Sequence, residues 1–419
     1  MRRVVWLLVL AATVAVAGEG ITLGEYRGRR EALRKEIKGG VILLVGAREG
    51  DHGDIRTGFF QEPNFRYLTG WVEPGAVLVI TPGEEMLFIP RRDPEQEKWT
   101  GPKADPADDG IREITGFDFV EPSETFESRL PELIGSAADV YTLTGQPYAE
   151  RLRALLPLRE LKDAGSAIAR LRMMKSKAEL ALMRRSVEAT IAAHRAAWKR
   201  MKPGLFEYQI AATMMEVYRD AGCERDAYAP IVGSGPNSTV LHYSSNRRRF
   251  DAGEVVLMDV GAECSGYAAD ITRTVPAGGR FTERQREIYK IVLGAQKAVI
   301  GAVKPGMTLN RNGPNSLYQI AYDYIDSHGA DSEGHSLGRY FTHGIGHHIG
   351  LDVHDANDPA RPLAAGMVIT VEPGIYIPEE SIGIRIEDMV LVTEDGGEVL
   401  SSALPKEPKQ IERAVRKGS

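Results

Sequence analysis

Short apolar runs separated by charged segments characterise the first part of the chain. Residues 25–38 are rich in charge and predict a surface helix, whereas the run Gly40–Val45 predicts a buried strand. Two further apolar runs, Ala76–Ile80 and Met86–Ile89, lie close enough in sequence to form a hairpin. Strands mixed with helices predict an α/β domain over residues 20–165.

Longer segments with helical periodicity dominate the rest of the chain, and they occur in two pairs. The segments predicted to be helical are 176–201, 206–221, 283–303 and 314–327. Each pair is associated with a hairpin pattern that contains two acidic residues. The sequence therefore predicts a second domain over residues 170–415, built from two related halves that share one site.

The first of these hairpin patterns lies in residues 254–275. Its first strand is an apolar run that ends on Asp259. A turn centred on Cys264 and Ser265 places Asp259 directly opposite Asp270, with Cβ atoms about 5 Å apart. Two carboxylates at this distance repel each other unless a proton or a metal ion lies between them. The pair therefore predicts a metal site.

The second hairpin pattern repeats this arrangement near the C-terminus. Glu372 follows an apolar run, and a turn centred on Glu379 and Glu380 places it opposite Glu387. Between the two hairpins, residues 342–355 are rich in histidine and glycine. Four carboxylates and an imidazole are the ligands expected of a hydrolase with two metal ions.

Composition and the N-terminus restrict the classes of protein that fit. The formal net charge of -6 argues against a nucleic-acid-binding protein. Arg2 and Arg3 precede an apolar run that reaches Ala17, which predicts a signal peptide over residues 1–17. The run is short for a membrane span. We therefore expect a secreted or periplasmic protein without a stable membrane anchor after cleavage; an uncleaved anchor is the alternative.

The chain has two cysteines, Cys223 and Cys264. They could pair in an oxidising compartment, but their spacing in sequence does not give their distance in space. Cys264 lies at the expected hairpin turn, whereas Cys223 follows a helix. We expect two free thiols.

The acidic residues and the histidine segment together resemble a known superfamily. They match the metal ligands of the pita-bread metallopeptidases, in the order Asp259, Asp270, His347, Glu372 and Glu387. The flanking stretches VGSGPNSTVLHY, YAADITRTVPAGG, HGIGHHIGLDVHD and TVEPGIY are most similar to aminopeptidase P. The resemblance implies an α+β protein, with a C-terminal pita-bread domain behind an N-terminal mixed α/β domain.

Roles for individual residues follow from the same resemblance, for His242 and His354, and from position and chemistry, for Glu372 and for Arg385, which lies two residues before Glu387 on the same strand face. His242 and His354 match histidines that contact the scissile carbonyl and the leaving side in this family. Glu372 is expected to shuttle a proton while also binding metal, and Arg385 to orient a ligand or the substrate carbonyl. Oxygen-dominated ligation favours two Mn²⁺ ions, although Co²⁺, Fe²⁺ and Zn²⁺ are compatible. A hydroxide that bridges the two ions would be the nucleophile.

The activity implied is that of an Xaa-Pro aminopeptidase, which releases the first residue of peptides that carry proline at position 2. Prolidase, which cleaves Xaa-Pro dipeptides, is the alternative with the same metal chemistry; the segment Tyr67–Gly70 and the segment around Trp99 favour aminopeptidase P. Methionine aminopeptidase fits less well because it usually lacks such an N-terminal domain. A peptide-binding relative without activity is disfavoured because all five ligands are present. Relatives form dimers or tetramers, so a homo-oligomer is expected.

Overall fold

The computed structural model describes residues 20–50, 58–137 and 139–417. The predicted signal peptide, residues 1–17, lies outside the described residues. The chain divides into two compact units between Leu171 and Arg172. Within the described residues, no helix is sufficiently long and apolar to cross a membrane.

The N-terminal unit is built on one mixed sheet of six strands. Its strands are β1 Val41–Val45, β2 Val77–Ile80, β3 Glu85–Ile89, β4 Phe119–Pro122, β5 Val140–Thr142 and β6 Leu161–Asp163. Their order across the sheet is β4-β3-β2-β1-β5-β6. Its helices are α1 Leu23–Glu36, α2 Pro63–Thr69, α3 Pro94–Thr100, α4 Ile111–Thr115, α5 Phe126–Ile134 and α6 Tyr148–Leu155, and α7 Gly165–Met173 spans the division between the units. The predicted α1, β1 and the β2–β3 hairpin are confirmed, and β2 and β3 pair antiparallel.

The C-terminal unit combines long helices with several small sheets. Its helices are α8 Lys177–Arg200, α9 Glu207–Asp220, α10 Glu283–Ala302, α11 Leu317–Ser327 and α12 Pro408–Arg416. Its strands are β7 Arg225–Asp226, β8 Ile231–Ser234, β9 Val255–Val260, β10 Ala262–Cys264, β11 Tyr267–Ala268, β12 Ile271–Pro276, β13 Val368–Val371, β14 Gly374–Ile377, β15 Ile382–Arg385, β16 Asp388–Val392 and β17 Gly397–Val399. The four predicted helices are confirmed as α8 to α11.

The start of α8 shows why the helices begin where the sequence predicts. The Ser176 hydroxyl accepts a hydrogen bond from the backbone N–H of Glu179, and the Glu179 carboxylate accepts one from the N–H of Ser176. This capping box satisfies two donors that would otherwise lack partners in the first turn. One face of α8 is buried, including Trp198, which is 1% exposed.

The first acidic hairpin has a register that differs from the prediction. Its turn is centred on Ser265 and Gly266, which both have positive φ (50° and 78°), so Asp259 pairs with Thr272 rather than with Asp270. The predicted direct pairing is therefore wrong by two positions. Because side chains alternate with a period of two along a strand, Asp270 remains on the same face as Asp259.

The expectation of two free thiols is also wrong, because Cys223 and Cys264 form a disulfide with a Cα–Cα distance of 4.3 Å. The short strand β7, which begins two residues after Cys223, pairs antiparallel with β10, which ends on Cys264. This strand pairing brings the end of α9 against the tip of the hairpin. Tertiary pairing thus supplies the proximity that the spacing in sequence could not reveal.

Candidate active site

A cavity of about 830 Å³ in the C-terminal unit contains every site residue predicted from the sequence. The four acidic side chains come from the two hairpins, and the histidines and the arginine complete its wall. The residues brought together in this way are Asp259, Asp270, His347, Glu372, Glu387, His242, His354 and Arg385. The cavity is therefore the candidate active site.

The second hairpin has the predicted register. Gly374 pairs with Arg385, and Val371 pairs with Asp388, so Glu372 and Glu387 occupy facing positions between these two pairs. This prediction is confirmed.

Two threonines of β12 join the hairpins. The Thr272 hydroxyl donates to Glu387 Oε2 at 2.6 Å, and the Glu387 N–H donates to the Thr272 carbonyl at 3.1 Å. The hydroxyl of Thr274 lies 3.0 Å from the Arg385 carbonyl. These contacts fix the two acidic pairs relative to each other.

Three of the predicted ligands converge on a position that suits a metal ion. One ligand atom from each of Asp270, His347 and Glu387 lies within 4.8 Å of the other two. The Nε2 atom of His347 is 3.4 Å from Asp270 Oδ2 and 3.6 Å from Glu372 Oε1. Its other ring nitrogen, Nδ1, lies 3.0 Å from the His348 carbonyl, which favours a proton on Nδ1 and leaves Nε2 available as a ligand.

The electrostatics of the cluster also favour bound cations. Burial, together with the charges of neighbouring carboxylates, raises the pKa of Glu387 well above its usual range, and burial raises the pKa of Glu372 to about 7. Burial opposes the charged form of His347 as well, but the nearby Asp270 carboxylate raises its pKa to about 9. The charged forms of these buried carboxylates would therefore be stabilised by a bound cation. A donor set of carboxylate oxygens and one imidazole fits divalent metal ions.

Arg385 contacts one of the acidic ligands directly. Its Nη2 atom donates to Asp259 Oδ2, its Nη1 atom donates to the Tyr376 hydroxyl at 2.8 Å, and its Nε atom donates to the Thr272 hydroxyl at 3.2 Å. The side chain is buried, at 3% exposure. The guanidinium thus holds the Asp259 carboxylate in a fixed orientation.

The histidines at the edge of the cavity are in different environments. His242 and His354 are exposed to the cavity, and the His354 ring centroid lies 4.2 Å from that of His347. His343 Nε2 lies 2.8 Å from the Tyr376 hydroxyl, and burial lowers the pKa of His343 to about 3. Burial also lowers the pKa of His354. Burial therefore favours the neutral form of both His343 and His354.

Sequence reasoning missed several side chains that hold the acidic residues. The Tyr228 hydroxyl lies 2.6 Å from Asp259 Oδ1 and 2.5 Å from Asp270 Oδ1. No spacing signal in the sequence marks this tyrosine. Thr272, in contrast, follows Asp270 by two residues, so the period of a strand places it on the same face and could have identified it.

Comparison with families of known proteins covers both units. Residues 181–394 match metallopeptidase family M24, and residues 26–141 match the aminopeptidase P N-terminal domain. The two matches correspond to different units of the fold.

Individual relatives match nearly the whole chain. Mouse Xaa-Pro aminopeptidase 3 is 35% identical, over 96% of this chain and 87% of its own length. The Escherichia coli Xaa-Pro aminopeptidase is 34% identical, over 94% of this chain and 97% of its own length.

Solved structures give the same result. Aminopeptidase PepP from Pseudomonas aeruginosa superimposes with a TM-score of 0.87 at 33% identity, and the match covers 95% of this chain and 99% of that one. Escherichia coli aminopeptidase P with the inhibitor Pro-Leu superimposes with a TM-score of 0.86 at 31% identity, over 96% of this chain and 99% of the other. The predicted α+β fold, with a pita-bread domain behind an N-terminal α/β domain, is confirmed.

Proposed function

Because this chain belongs to metallopeptidase family M24, we propose that it is a metal-dependent Xaa-Pro aminopeptidase, which releases the N-terminal residue of peptides with proline at position 2. The observation that carries the proposal is the cavity in which two acidic hairpins and His347 converge beside His242, His354 and Arg385. The match to the aminopeptidase P N-terminal domain supports this activity over other hydrolytic reactions of the fold.

The proposed cofactor is a pair of divalent cations, with Mn²⁺ favoured by the excess of oxygen donors over nitrogen. The residues that would hold them are Asp259, Asp270, His347, Glu372 and Glu387. When bound, such ions lower the pKa of a water molecule toward neutrality and polarise a carbonyl group. The buried negative charge of the four carboxylates is the reason that this site would retain them.

The side chains around the ligands supply the remaining chemistry. His242 and His354 face the cavity, and a ring N–H from each would stabilise the negative charge that develops on the scissile carbonyl oxygen. The Glu372 carboxylate would accept a proton from the attacking water and deliver it to the leaving nitrogen. Arg385 holds the Asp259 carboxylate in place, which keeps that ligand oriented during the reaction.

The proposal is tested by measuring cleavage and metal content in the same samples. We expect metal-stripped enzyme to lose cleavage of an Xaa-Pro peptide and to recover it with added Mn²⁺. Asp270→Ala should lose both the metal and the activity. Asp395→Ala, which changes an exposed aspartate in the same unit, is the matched control and should retain both. Full cleavage by Asp270→Ala or by metal-free enzyme would overturn the proposed mechanism.

Prolidase activity remains the second candidate, since it would use the same metal ligands. An Xaa-Pro dipeptide and a longer peptide with the same first two residues separate the two activities. We expect the longer peptide to be cleaved with at least comparable kcat/KM. Cleavage of the dipeptide alone would identify a prolidase.

We also propose that the mature protein functions outside the cytoplasm. The signal-peptide pattern of residues 1–17 and the Cys223–Cys264 disulfide support an oxidising compartment. Fractionation of cells that produce the full chain, compared with a chain lacking residues 1–17, tests this location; equal retention of both in the cytoplasm would contradict it. A homo-oligomer remains a proposal from the family resemblance, and sedimentation analysis would give the number of subunits.

A further inference from the structure

One buried carboxylate contacts both ends of the loop that carries His242. We call residues 235–247 the His242 loop; it follows β8 and begins with the 3₁₀ helix Gly235–Thr239. Glu207, the first residue of α9, is 0% exposed and lies against both ends of this loop.

One oxygen of Glu207 binds the start of the loop. Glu207 Oε1 accepts from the backbone N–H of Ser234 at 2.8 Å, from the Ser234 hydroxyl at 2.7 Å and from Asn237 Nδ2 at 3.1 Å. These contacts hold the end of β8 and the 3₁₀ helix.

The other oxygen binds the end of the loop. Glu207 Oε2 accepts from the Tyr243 hydroxyl at 2.8 Å and from the backbone N–H of Arg248 at 2.8 Å, while the Glu207 N–H donates to the Arg248 carbonyl at 3.0 Å. Tyr243 is the immediate neighbour of His242 in sequence. One carboxylate therefore joins the two ends of the loop that carries His242. Asn246 adds two contacts at the end of the loop, since its Oδ1 atom accepts from the Val232 N–H at 2.9 Å and its Nδ2 atom donates to the Pro230 carbonyl at 2.8 Å.

His242 itself depends on this anchoring. Among the described residues, none makes a hydrogen bond to the His242 ring, which lines the cavity together with its neighbours Leu241 and Ser244. The position of the ring therefore depends on the backbone of the loop, to which Glu207 contributes a contact at each end. We propose that Glu207 is a positioning residue for the peptidase reaction, which acts by holding His242 toward the scissile carbonyl; this inference rests on the proposed function.

The substitution Glu207→Gln tests the anchoring with almost no change in shape. A glutamine presents one acceptor oxygen and one NH₂ donor, whereas both positions of the carboxylate face a backbone N–H. Whichever way the amide is oriented, either the Ser234 N–H or the Arg248 N–H faces another donor. The variant therefore loses the contact of residue 207 to one end of the loop without creating a cavity.

The expected effect is a loss of transition-state stabilisation, because His242 would stabilise the negative charge on the scissile carbonyl oxygen, and this charge develops only in the transition state. We expect Glu207→Gln to lower kcat and kcat/KM equally, by about 10-fold, with unchanged metal content. His242→Ala should lower kcat by about 100-fold or more. The double variant should be no slower than His242→Ala, because residues that act as a unit are not additive.

Glu412→Gln is the matched control. Glu412 is another buried carboxylate of this unit, at 6% exposure, and it accepts from the Phe281 N–H and from Arg286, away from the His242 loop. Its substitution should leave kcat within about twofold of wild type in both the wild-type and the His242→Ala background. If Glu207→Gln does not fold, Tyr243→Phe removes one contact to Glu207 and should give a smaller loss in the same direction, about 2- to 5-fold in kcat.

A structural readout separates failure of this inference from failure of the proposed function. In the NMR spectrum of protein with isotope-labelled histidine rings, the His242 signal is identified as the one that is absent from the spectrum of His242→Ala. Glu207→Gln should shift or broaden that signal, whereas Glu412→Gln should not. An unchanged His242 signal, an additive loss of activity in the double variant, or a fully active His242→Ala would each overturn the positioning role. If the wild-type chain cleaves no Xaa-Pro peptide, the proposed function is wrong. A shifted His242 signal in Glu207→Gln would then show the anchoring of the loop but no role in catalysis.

Discussion

The disulfide between Cys223 and Cys264 offers the sharpest test of how the site is supported. It connects the end of α9 to the tip of the hairpin whose strands carry Asp259 and Asp270. Both cysteines are buried, at 3% and 0% exposure. The perturbation is the double substitution Cys223→Ala and Cys264→Ala, or reduction of the wild-type protein.

The magnitude follows from the length of chain that the bond closes. The sequence separation is 41 residues, for which the chain-entropy relation gives about 4 kcal/mol at 25 °C. Typical measured values are about 2–4 kcal/mol, because native strain and residual structure in the unfolded state reduce the effect. For a unit of this size, such a loss lowers Tm by roughly 5–15 °C. The β7–β10 pairing remains, so we expect the reduced protein to stay folded and active at low temperature.

The assay is urea unfolding of wild type and the double variant, each with and without reductant. Trp198, which is buried in the same unit, provides a fluorescence signal. Reductant should destabilise only the wild type, because the variant has no bond to reduce. Two reactive thiols in unfolded, unreduced wild type would show that the bond is absent. A loss of less than about 1 kcal/mol in the variant would refute the loop-entropy argument.

Three other perturbations have defined outcomes. Burial alone would raise the pKa of Asp355, but the Lys175 ammonium at 2.7 Å outweighs burial, and the pKa is lowered. The carboxylate therefore stabilises the fold at pH values above its unfolded pKa of about 3.9. This contribution disappears as the pH falls through the lower pKa of the folded state. Asp355→Asn should therefore reduce the free energy of unfolding at pH 7 and make its decline below about pH 4 shallower, as measured by urea titration at several pH values. Tyr228→Phe removes a hydroxyl shared by two proposed ligands and should weaken Mn²⁺ binding about 10- to 100-fold in a calorimetric titration; unchanged affinity would contradict that supporting role. Arg273→Met removes the 2.6 Å ion pair with the buried Asp388, which keeps Lys406 at 2.7 Å, and it also removes the hydrogen bonds of Arg273 to the carbonyls of Thr272 and Glu387. The substitution should destabilise the protein by about 3 kcal/mol in the same urea assay, and a loss below about 1 kcal/mol would refute this prediction.

The sequence by itself determined the elements of the site and the faces on which the acidic residues lie. One apolar run ends on Asp259 and another precedes Glu372, and each run predicts a buried strand. Because side chains alternate between the two faces of a strand, the position of each acidic residue in sequence also gives the face on which it lies. The same period kept Asp270 on the correct face even though the predicted turn was misplaced by one residue. Local rules of this kind depend only on neighbours in sequence, and they were sufficient to predict α8 to α11.

Tertiary structure decided the contacts that bring distant segments together. The disulfide depends on the pairing of β7 with β10, and its existence does not follow from the positions of Cys223 and Cys264 in the sequence. The contacts of Tyr228 with two acidic residues and of Arg385 with Asp259 likewise join segments that are far apart along the chain. Such distances are set by how helices and sheets pack, and the spacing of residues in a sequence carries no direct record of that packing.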